Sequence, residues 1–174
     1  MCGIAGIVSF TENSKSFLQK IEDATACLHT RGPDGSGVYR HNNIVLGHSR
    51  LAIIDTSDAA AQPMADASGR YTIIFNGEFF NFKEHRSYVE SKGLKLRTES
   101  DTEVLLYLYI IDGTECLKKI NGFFSLAIYD STEETLFLAR DRMGIKPLLY
   151  FMDDEKLFFA SEMKSLILRS LSWP

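Results

Sequence analysis

The sequence predicts an α+β domain in which two antiparallel β-sheets pack face to face and helices cover their outer sides. Most of its extended segments are short, rich in β-branched and aromatic residues, and separated by turn-forming residues. Two hairpins are expected in the second half, one joining residues 123–129 to 135–139 and one joining residues 148–151 to 157–160. The strand–helix–strand alternation that builds a parallel sheet is absent from the pattern, which favours antiparallel layers.

The first half supplies strands and one helix. Strands are expected at residues 3–10, 38–39, 44–47 and 48–55. Over residues 17–28 apolar side chains recur at spacings of four, three and four, which places them on one helical face. Residues 29–37 contain three glycines and a proline, which is typical of a loop, and Arg31 within that loop could fold over a site.

The second half contains the hairpins, a further strand at residues 71–75, and three helices. The helices are expected from Phe82 to Gly93, over residues 101–111, and after Ser161. The middle helix is apolar almost all round, which indicates burial. Ser100 and Glu103 have the spacing of a capping box at its start.

Length and composition indicate one globular domain. The chain has 174 residues, of which 45% are hydrophobic and 24% charged, enough for one sizeable core. The formal net charge of −4 offers no basic surface, so nucleic acid is not expected as a partner. No apolar run approaches the ~20 residues that span a membrane, and the N-terminus lacks a signal-peptide pattern. Residues 1–168 are expected to form the domain, and residues 169–174 to begin a linker to a domain that the sequence does not contain.

The cysteines favour a reducing, cytoplasmic setting. Cys2, Cys27 and Cys116 are odd in number and widely spaced, so they do not suggest a disulfide framework. Together with the four histidines they include no pair at zinc-binding spacing, and no metal is expected. Cys27 and Cys116 are interpreted as small core residues, which leaves Cys2 as the candidate nucleophile.

Cys2 becomes the first residue if the initiator methionine is removed. Its thiol and a free α-amine would then share one Cα atom. An α-amine with a pKa of about 7.7–8.0 can exchange a proton with the thiol near neutral pH, so one residue would supply both nucleophile and base. The alternative is that Cys2 is only a small residue near a frayed chain end.

Arg50 and the Asn76–Gly77 pair are candidate substrate-binding groups. Arg50 interrupts an apolar strand and needs an anion, either a substrate carboxylate or a structural partner such as Asp34 or Asp55. Asn-Gly is commonly a hairpin turn, but here the chain continues toward a helix rather than a pairing strand. An Asn amide beside a Gly N–H can instead form an oxyanion hole.

Glu78 and Asp101 are candidates for binding an ammonium group. Asp101 also has a structural interpretation, because acidic residues are favoured in the first turn of a helix. Together with Arg50, the two acids would hold both ends of a free amino acid. The thiol and the oxyanion hole would then act on an electrophilic carbonyl in its side chain, and glutamine fits that description.

Eight motifs follow one another along the chain. They are Met-Cys-Gly-Ile at residues 1–4, Arg-Gly-Pro-Asp at 31–34, His-Ser-Arg-Leu-Ala-Ile-Ile-Asp at 48–55, Asn-Gly-Glu at 76–78, Ser-Asp-Thr-Glu at 100–103, and the segments 122–130, 140–150 and 159–166. The series resembles the N-terminal glutaminase domain of glutamine-dependent asparagine synthetases, a class II glutamine amidotransferase, over essentially the whole chain. One departure is Phe79-Phe80, where members of that family commonly have Ile-Tyr; the lost hydroxyl leaves the expected chemistry unaffected.

The resemblance implies an N-terminal-nucleophile hydrolase fold, the four-layer αββα sandwich, with L-glutamine as substrate. It also implies the residue roles. Cys2 would be the nucleophile, Asn76 and Gly77 the oxyanion hole, Arg50 the ligand of the α-carboxylate, Glu78 and Asp101 the ligands of the α-ammonium, and the backbone near Ile53 and Ile54 a further substrate contact.

The resemblance further implies that ammonia passes to a C-terminal synthetase domain that uses ATP and magnesium, while the glutaminase domain itself needs no cofactor. The Ser-Gly-Gly-x-Asp-Ser nucleotide loop of such a domain does not occur in this sequence. Aspartate is the default acceptor, and a carboxylated sugar in surface-polysaccharide synthesis is an alternative. A degenerate, non-catalytic docking module is a second alternative. A homodimer is left open.

Overall fold

Two antiparallel sheets form the centre of the protein in the computed structural model, which describes residues 1–167. The strands are β1 (Gly3–Ser9), β2 (Gly35–His41), β3 (Ile44–Arg50), β4 (Met64–Ala65), β5 (Tyr71–Phe79), β6 (Gly122–Asp130), β7 (Thr135–Arg140), β8 (Leu149–Met152) and β9 (Lys156–Ala160). The first sheet has the order β2-β3-β1-β9-β8 and the second the order β4-β5-β6-β7. The linker expected at residues 169–174 lies outside the described residues.

Four α-helices within residues 1–167 flank the sheets. They are α1 (Ile21–Ala26), α2 (Phe82–Ser91), α3 (Asp101–Asp112) and α4 (Met163–Ile167), and short 3₁₀ helices occupy Glu12–Lys20, Asp58–Ala60 and Gly113–Lys118. The helix expected over residues 17–28 is therefore a 3₁₀ helix that continues into α1. No helix within residues 1–167 has both the length and the apolar character needed to cross a bilayer.

Three apolar cores separate four layers. Between α1 and the first sheet lie Ala5, Ile7, Ile21, Leu28 and Phe158. Between the two sheets lie Ile4, Leu46, Ile74, Ala127 and Phe159. Between the second sheet and helices α2 and α3 lie Phe75, Phe82, Val89, Leu105 and Leu126. Successive residues of one strand face different cores, as the two-residue period of a strand requires, and the predicted αββα arrangement is confirmed.

Several strand ends differ from the sequence prediction, and two of the differences shape the cavity described below. β3 stops at Arg50 rather than continuing to residue 55, because its neighbours end there: Gly35 of β2 pairs with Arg50 and Gly3 of β1 pairs with Ser49. Beyond that point no strand remains for it to pair with, and residues 51–57 form a loop.

β5 runs on to Phe79 instead of ending before Asn76, so the Asn-Gly pair lies inside a strand and not in a turn. Glycine makes this possible. A Cβ on Gly77 would lie 2.4 Å from Phe123 O, and one on Gly122 would lie 2.0 Å from Glu78 O. The close approach of β5 and β6 thus depends on the two glycines.

Candidate active site

One cavity opens where β1 begins, where β3 and β5 end, and where α3 begins. Its volume is about 110 Å³. All eight residues predicted for the site line it, namely Cys2, Arg50, Ile53, Ile54, Asn76, Gly77, Glu78 and Asp101. The fold therefore brings together residues that are up to 99 positions apart in the sequence.

Cys2 lies directly before β1, and extending the β1–β3 register by one residue places it opposite Arg50. Its Sγ accepts a hydrogen bond from the Leu51 N–H at 3.4 Å. Burial raises the pKa of the Cys2 thiol, and the Asp101 carboxylate adds to the rise. The Leu51 hydrogen bond, the terminal ammonium group and Arg50 oppose it. The thiol therefore needs a base to become a thiolate near neutral pH.

Arg31 holds the start of the chain in place. Its Nε donates to Cys2 O at 2.8 Å, its Nη1 lies 3.1 Å from Glu162 Oε1, and its carbonyl accepts from the Met1 ammonium group at 3.0 Å. The Arg31 loop thus folds over the site, as its glycine-rich surroundings allowed. The nitrogen of Cys2 is in a peptide bond to Met1, so the thiol and a free amine share a residue only after Met1 is removed.

Gly77 directs its N–H into the cavity because of its place in the β5–β6 ladder. In an antiparallel ladder both backbone groups of a residue point to one side, and the side alternates along the strand. The Phe75 N–H donates to Gln62 Oε1 at 2.6 Å and the Phe79 N–H donates to Asp101 Oδ2 at 3.1 Å, so both point away from β6. The Gly77 N–H lies between them and points the same way.

Asn76 supplies a second donor beside this N–H. The residue is buried, with 1% of its surface exposed, and its Nδ2 lies 3.4 Å from the Oγ of Ser125, its cross-strand partner. Its Oδ1 accepts no hydrogen bond from the described residues. An amide with two N–H groups held at one wall of the cavity has the chemistry of an oxyanion-hole donor.

Arg50 is fixed by backbone and not by acids. Its Nη2 donates to the carbonyls of Asp55 at 2.6 Å and Ser57 at 2.9 Å, and within residues 1–167 it forms no ion pair. The structural alternative, a pairing with Asp34 or Asp55, is wrong: Asp34 Oδ2 accepts from Ala52 N–H, and the Asp55 carboxylate accepts from other backbone groups. The guanidinium charge thus remains available to an anion in the cavity.

Asp101 is the buried first residue of α3. Burial raises the pKa of its carboxyl group and the neighbouring Glu78 raises it further, while the Phe79 N–H lowers it. A bound cation would offset both effects, because its opposite charge stabilises the ionised carboxylate. Glu78 is exposed at the cavity rim. The two acids thus face the cavity from the side of the second sheet.

Of the predicted capping box, the hydrogen bond to Ser100 is present, but the one from Glu103 to the N-cap backbone is not. Ser100 Oγ accepts from the Thr102 N–H at 3.1 Å, as an N-cap residue does. Glu103 instead accepts from the backbone N–H groups of Arg97 and Thr98. Its carboxylate therefore fixes the loop that leads into α3 rather than the N-cap itself.

Ten other residues line the cavity, and three of them make contacts that the sequence analysis did not predict. Gln62 bridges Phe75 N–H to Thr102 Oγ1, and Asp55 contacts both the Arg50 loop and the loop before α3. Lys146 is buried, and its Nζ lies 3.3 Å from Met1 Sδ. Asp55 and Lys146 each lie in one of the motifs noted above, at residues 48–55 and 140–150, but those motifs indicated the family and not a place in the cavity.

His48 joins the two sheets beneath the cavity. Its Nε2 lies 3.2 Å from Phe75 O, and burial lowers its pKa to about 4, so the ring is neutral at pH 7. The neutral ring donates from Nε2 to the carbonyl oxygen. The described residues contain no group of three or more His, Cys, Asp or Glu side chains suited to a metal ion.

Comparison with known proteins identifies a family whose model matches this chain. A family model described as glutamine amidotransferase domain matches residues 1–172. Asparagine synthetase (glutamine-hydrolysing) 3 of Bacillus subtilis is 38% identical over 169 residues, which are 96% of this chain and 27% of that protein. Asparagine synthetase B of Escherichia coli is 35% identical over 168 residues, 96% of this chain and 30% of that protein. The chain thus spans about a third or less of these relatives.

A solved structure supports the fold. Glutamine phosphoribosylpyrophosphate amidotransferase from B. subtilis, complexed with ADP and GMP, superimposes with a TM-score of 0.78 at 23% sequence identity. The match covers 95% of this chain and 43% of that one. The N-terminal-nucleophile fold expected from the sequence is thereby confirmed.

Proposed function

The chain belongs to the glutamine amidotransferase domain family, and on that premise we propose that it hydrolyses L-glutamine to L-glutamate and ammonia. One observation carries the proposal: a thiol, two oxyanion donors, an unpaired guanidinium and two acids all line one cavity. Each of these groups matches one part of glutamine. A cationic group and two acids around one thiol suit a substrate that carries both a carboxylate and an ammonium group, as a free amino acid does.

Both ends of the amino acid find a complementary charge. The α-carboxylate would bind the remaining N–H donors of Arg50, on Nε and Nη1, in charge-assisted hydrogen bonds. The α-ammonium would bind Glu78 and Asp101, which relieves the repulsion between the two acids. We call Arg50, Glu78 and Asp101 the clamp. The backbone near Ile53 and Ile54, in the loop that follows β3, would contact the substrate between these ends.

The reaction requires the free amine of Cys2, and therefore removal of Met1. The amine accepts the thiol proton, and the thiolate attacks the side-chain amide carbon, forming a C–S bond. Negative charge on the carbonyl oxygen is stabilised by Asn76 Nδ2 and Gly77 N–H. The C–N bond breaks as the ammonium proton passes to the departing nitrogen, which leaves as ammonia. Water, deprotonated by the amine, then hydrolyses the thioester to glutamate and the free thiol.

We place the use of the ammonia in a synthetase domain beyond this sequence, with ATP and magnesium bound there and aspartate as acceptor. The support is that the relatives named above are asparagine synthetases roughly three to four times as long. A carboxylated sugar as acceptor finds no support among those relatives. A degenerate docking module is not favoured either, because Cys2, the oxyanion donors and the clamp are all present.

The test compares Cys2→Ala with Cys27→Ala, which removes a free, half-buried cysteine outside the cavity. Glutamate release from L-glutamine without ATP should fall to the background rate in Cys2→Ala and stay within about twofold in Cys27→Ala. Intact mass establishes in each sample whether Met1 is absent. Glutamine hydrolysis by Cys2→Ala at the parent rate would contradict the mechanism.

A further inference from the structure

Asp55 connects two loops that are distant in sequence. Its Oδ1 accepts from the Ser57 N–H at 2.9 Å and from Ser57 Oγ at 2.7 Å. Its Oδ2 accepts from the Glu99 N–H at 2.9 Å, across 44 residues. The first two bonds form a local turn, but the third cannot be explained by local turn formation. The carboxylate thus ties residues 51–57 to the segment that precedes α3.

The first of these loops sets the position of Arg50. Arg50 Nη2 donates to the carbonyl of Asp55 itself and to the carbonyl of Ser57. Both carbonyls belong to the turn that the Asp55 carboxylate closes. The guanidinium therefore rests on a turn whose shape depends on that carboxylate, since residues 51–57 have no strand partner.

The second loop sets the position of Asp101. Glu99 precedes it by two residues, and Ser100 between them is the N-cap of α3. The segment is held from its other side by Glu103, which accepts from Arg97 N–H and Thr98 N–H. Asp55 thus supplies one of two carboxylates that hold the entry to α3 in place.

We propose that Asp55 is a positioning residue that fixes the spacing between Arg50 and Asp101, and thereby selects substrates carrying an α-carboxylate and an α-ammonium together. Both oxygens of its carboxylate are already engaged by protein donors, so it acts through the clamp and not on substrate. Hydrogen bonds from the Ser57 hydroxyl and from the Ser57 and Glu99 N–H groups hold the pKa of Asp55 below its usual range. This inference rests on the proposed glutaminase function.

Asp55→Asn is the sharpest variant, because an amide keeps the size and one acceptor but turns the other into a donor that faces a backbone N–H. Asp58→Asn is the matched control: Asp58 lies three residues away, is exposed, and its carboxylate forms no hydrogen bond or ion pair with another described residue. Each variant is assayed with L-glutamine, with glutaramate, which lacks the α-amine, and with 4-aminobutanamide, which lacks the α-carboxylate.

If Asp55 positions both ends, the kcat/KM of Asp55→Asn for glutamine falls roughly 100-fold, mainly through KM. Each truncated substrate, which retains one end, loses only roughly tenfold. Asp58→Asn stays within about twofold for all three. Equal loss for all three substrates would indicate general damage and overturn the inference. An unchanged kcat/KM for either truncated substrate would also overturn it, because Asp55 would then serve one end only.

A second readout separates this inference from the proposed function. In amide NMR spectra of the full chain without substrate, the Glu99 N–H should move upfield and exchange faster in Asp55→Asn than in the parent or in Asp58→Asn. If this shift occurs but the parent does not hydrolyse glutamine, the function is wrong while the loop connection stands. An unshifted Glu99 N–H would refute the connection itself.

Discussion

The two walls of the cavity are built in different ways. The wall from the second sheet carries Asn76 and Gly77 inside a continuous nine-residue strand, with Asp101 at the start of α3. The wall from the first sheet carries Cys2 before a strand, Arg50 at a strand end, and an irregular loop after it. One wall is positioned by a hydrogen-bonded ladder, and the other by a chain terminus and a few side-chain contacts.

The difference matters for how each wall responds to change. In the strand wall, one of the two groups expected to stabilise the oxyanion is the Gly77 backbone N–H, whose direction the ladder dictates, so a substitution at Gly77 should disturb folding and chemistry together. In the loop wall, the guanidinium of Arg50 rests on two carbonyls of one turn. A substitution there should change substrate binding and leave the sheets intact.

Gly77→Ala should have the largest effect, and it tests whether stability and activity depend on each other in the strand wall. The added Cβ would meet Phe123 O at 2.4 Å, and the strands must separate to accept it. We expect a loss of about 1–3 kcal/mol in the free energy of unfolding and a fall of ~10²–10³ in kcat as the N–H moves. Denaturant unfolding and steady-state glutaminase assays measure the two quantities.

Gly35→Ala is the control for that variant, because a Cβ at this β2 glycine would have no atom within 4 Å. Both its stability and its activity should stay close to those of the parent. If Gly77→Ala lost activity with unchanged stability, the claim that ladder and chemistry are inseparable in this wall would be wrong.

Arg50→Lys tests whether a change in the loop wall weakens substrate binding without loss of stability. Lysine keeps the charge, but its single nitrogen cannot bond the two loop carbonyls and the substrate carboxylate in the directions that a planar guanidinium sets, so KM for glutamine should rise about 100-fold. The free energy of unfolding should change by less than about 1 kcal/mol, because within residues 1–167 the Arg50 side chain bonds only two carbonyls of the loop that follows β3. Arg40→Lys, on β2 and outside the cavity, is the control. A large loss of stability in Arg50→Lys would remove the distinction between the walls.

Substitution of His48 tests the contact that joins the two sheets, between His48 Nε2 and Phe75 O. It should have the smallest effect on activity at pH 7. Its folded pKa of about 4 lies below the unfolded value of about 6.5. Its contribution to stability is therefore fully present above pH 6.5 and is lost as the pH falls toward 4, because only the unfolded chain binds the proton in that range. The loss should reach roughly 3 kcal/mol.

Chemical unfolding at a series of pH values measures this loss. His48→Gln, whose amide can still donate to Phe75 O, should flatten the profile between pH 6.5 and 4, whereas His29→Gln at an exposed position should leave it unchanged. Carboxylates whose pKa values are lowered change the stability at lower pH, so their effect can be separated from that of His48. An unchanged slope in His48→Gln would show that this ring does not control the junction.

Much of the architecture could be predicted from the sequence because it depends on local pattern. Runs of β-branched and aromatic residues separated by turn residues marked the hairpins, the length of one apolar run marked the buried helix α3, and the absence of strand–helix–strand alternation favoured antiparallel sheets. Strand ends were less predictable. β3 stops where its partners stop, and β5 continues because β6 offers it a partner through Gly77 and Gly122, and neither fact is local.

The sequence by itself determined which chemical groups the site contains: a cysteine beside the initiator methionine, a strand-embedded arginine, an Asn-Gly-Glu run and an acid at a helix start. Only the tertiary structure decided that they line one cavity, that the Gly77 N–H points into it, and that Asp55 joins the Arg50 loop to the entry of α3. The physical reason is that chemical type belongs to each residue alone. Direction and spacing belong to pairs of strands and loops, which come into contact only when the chain has folded.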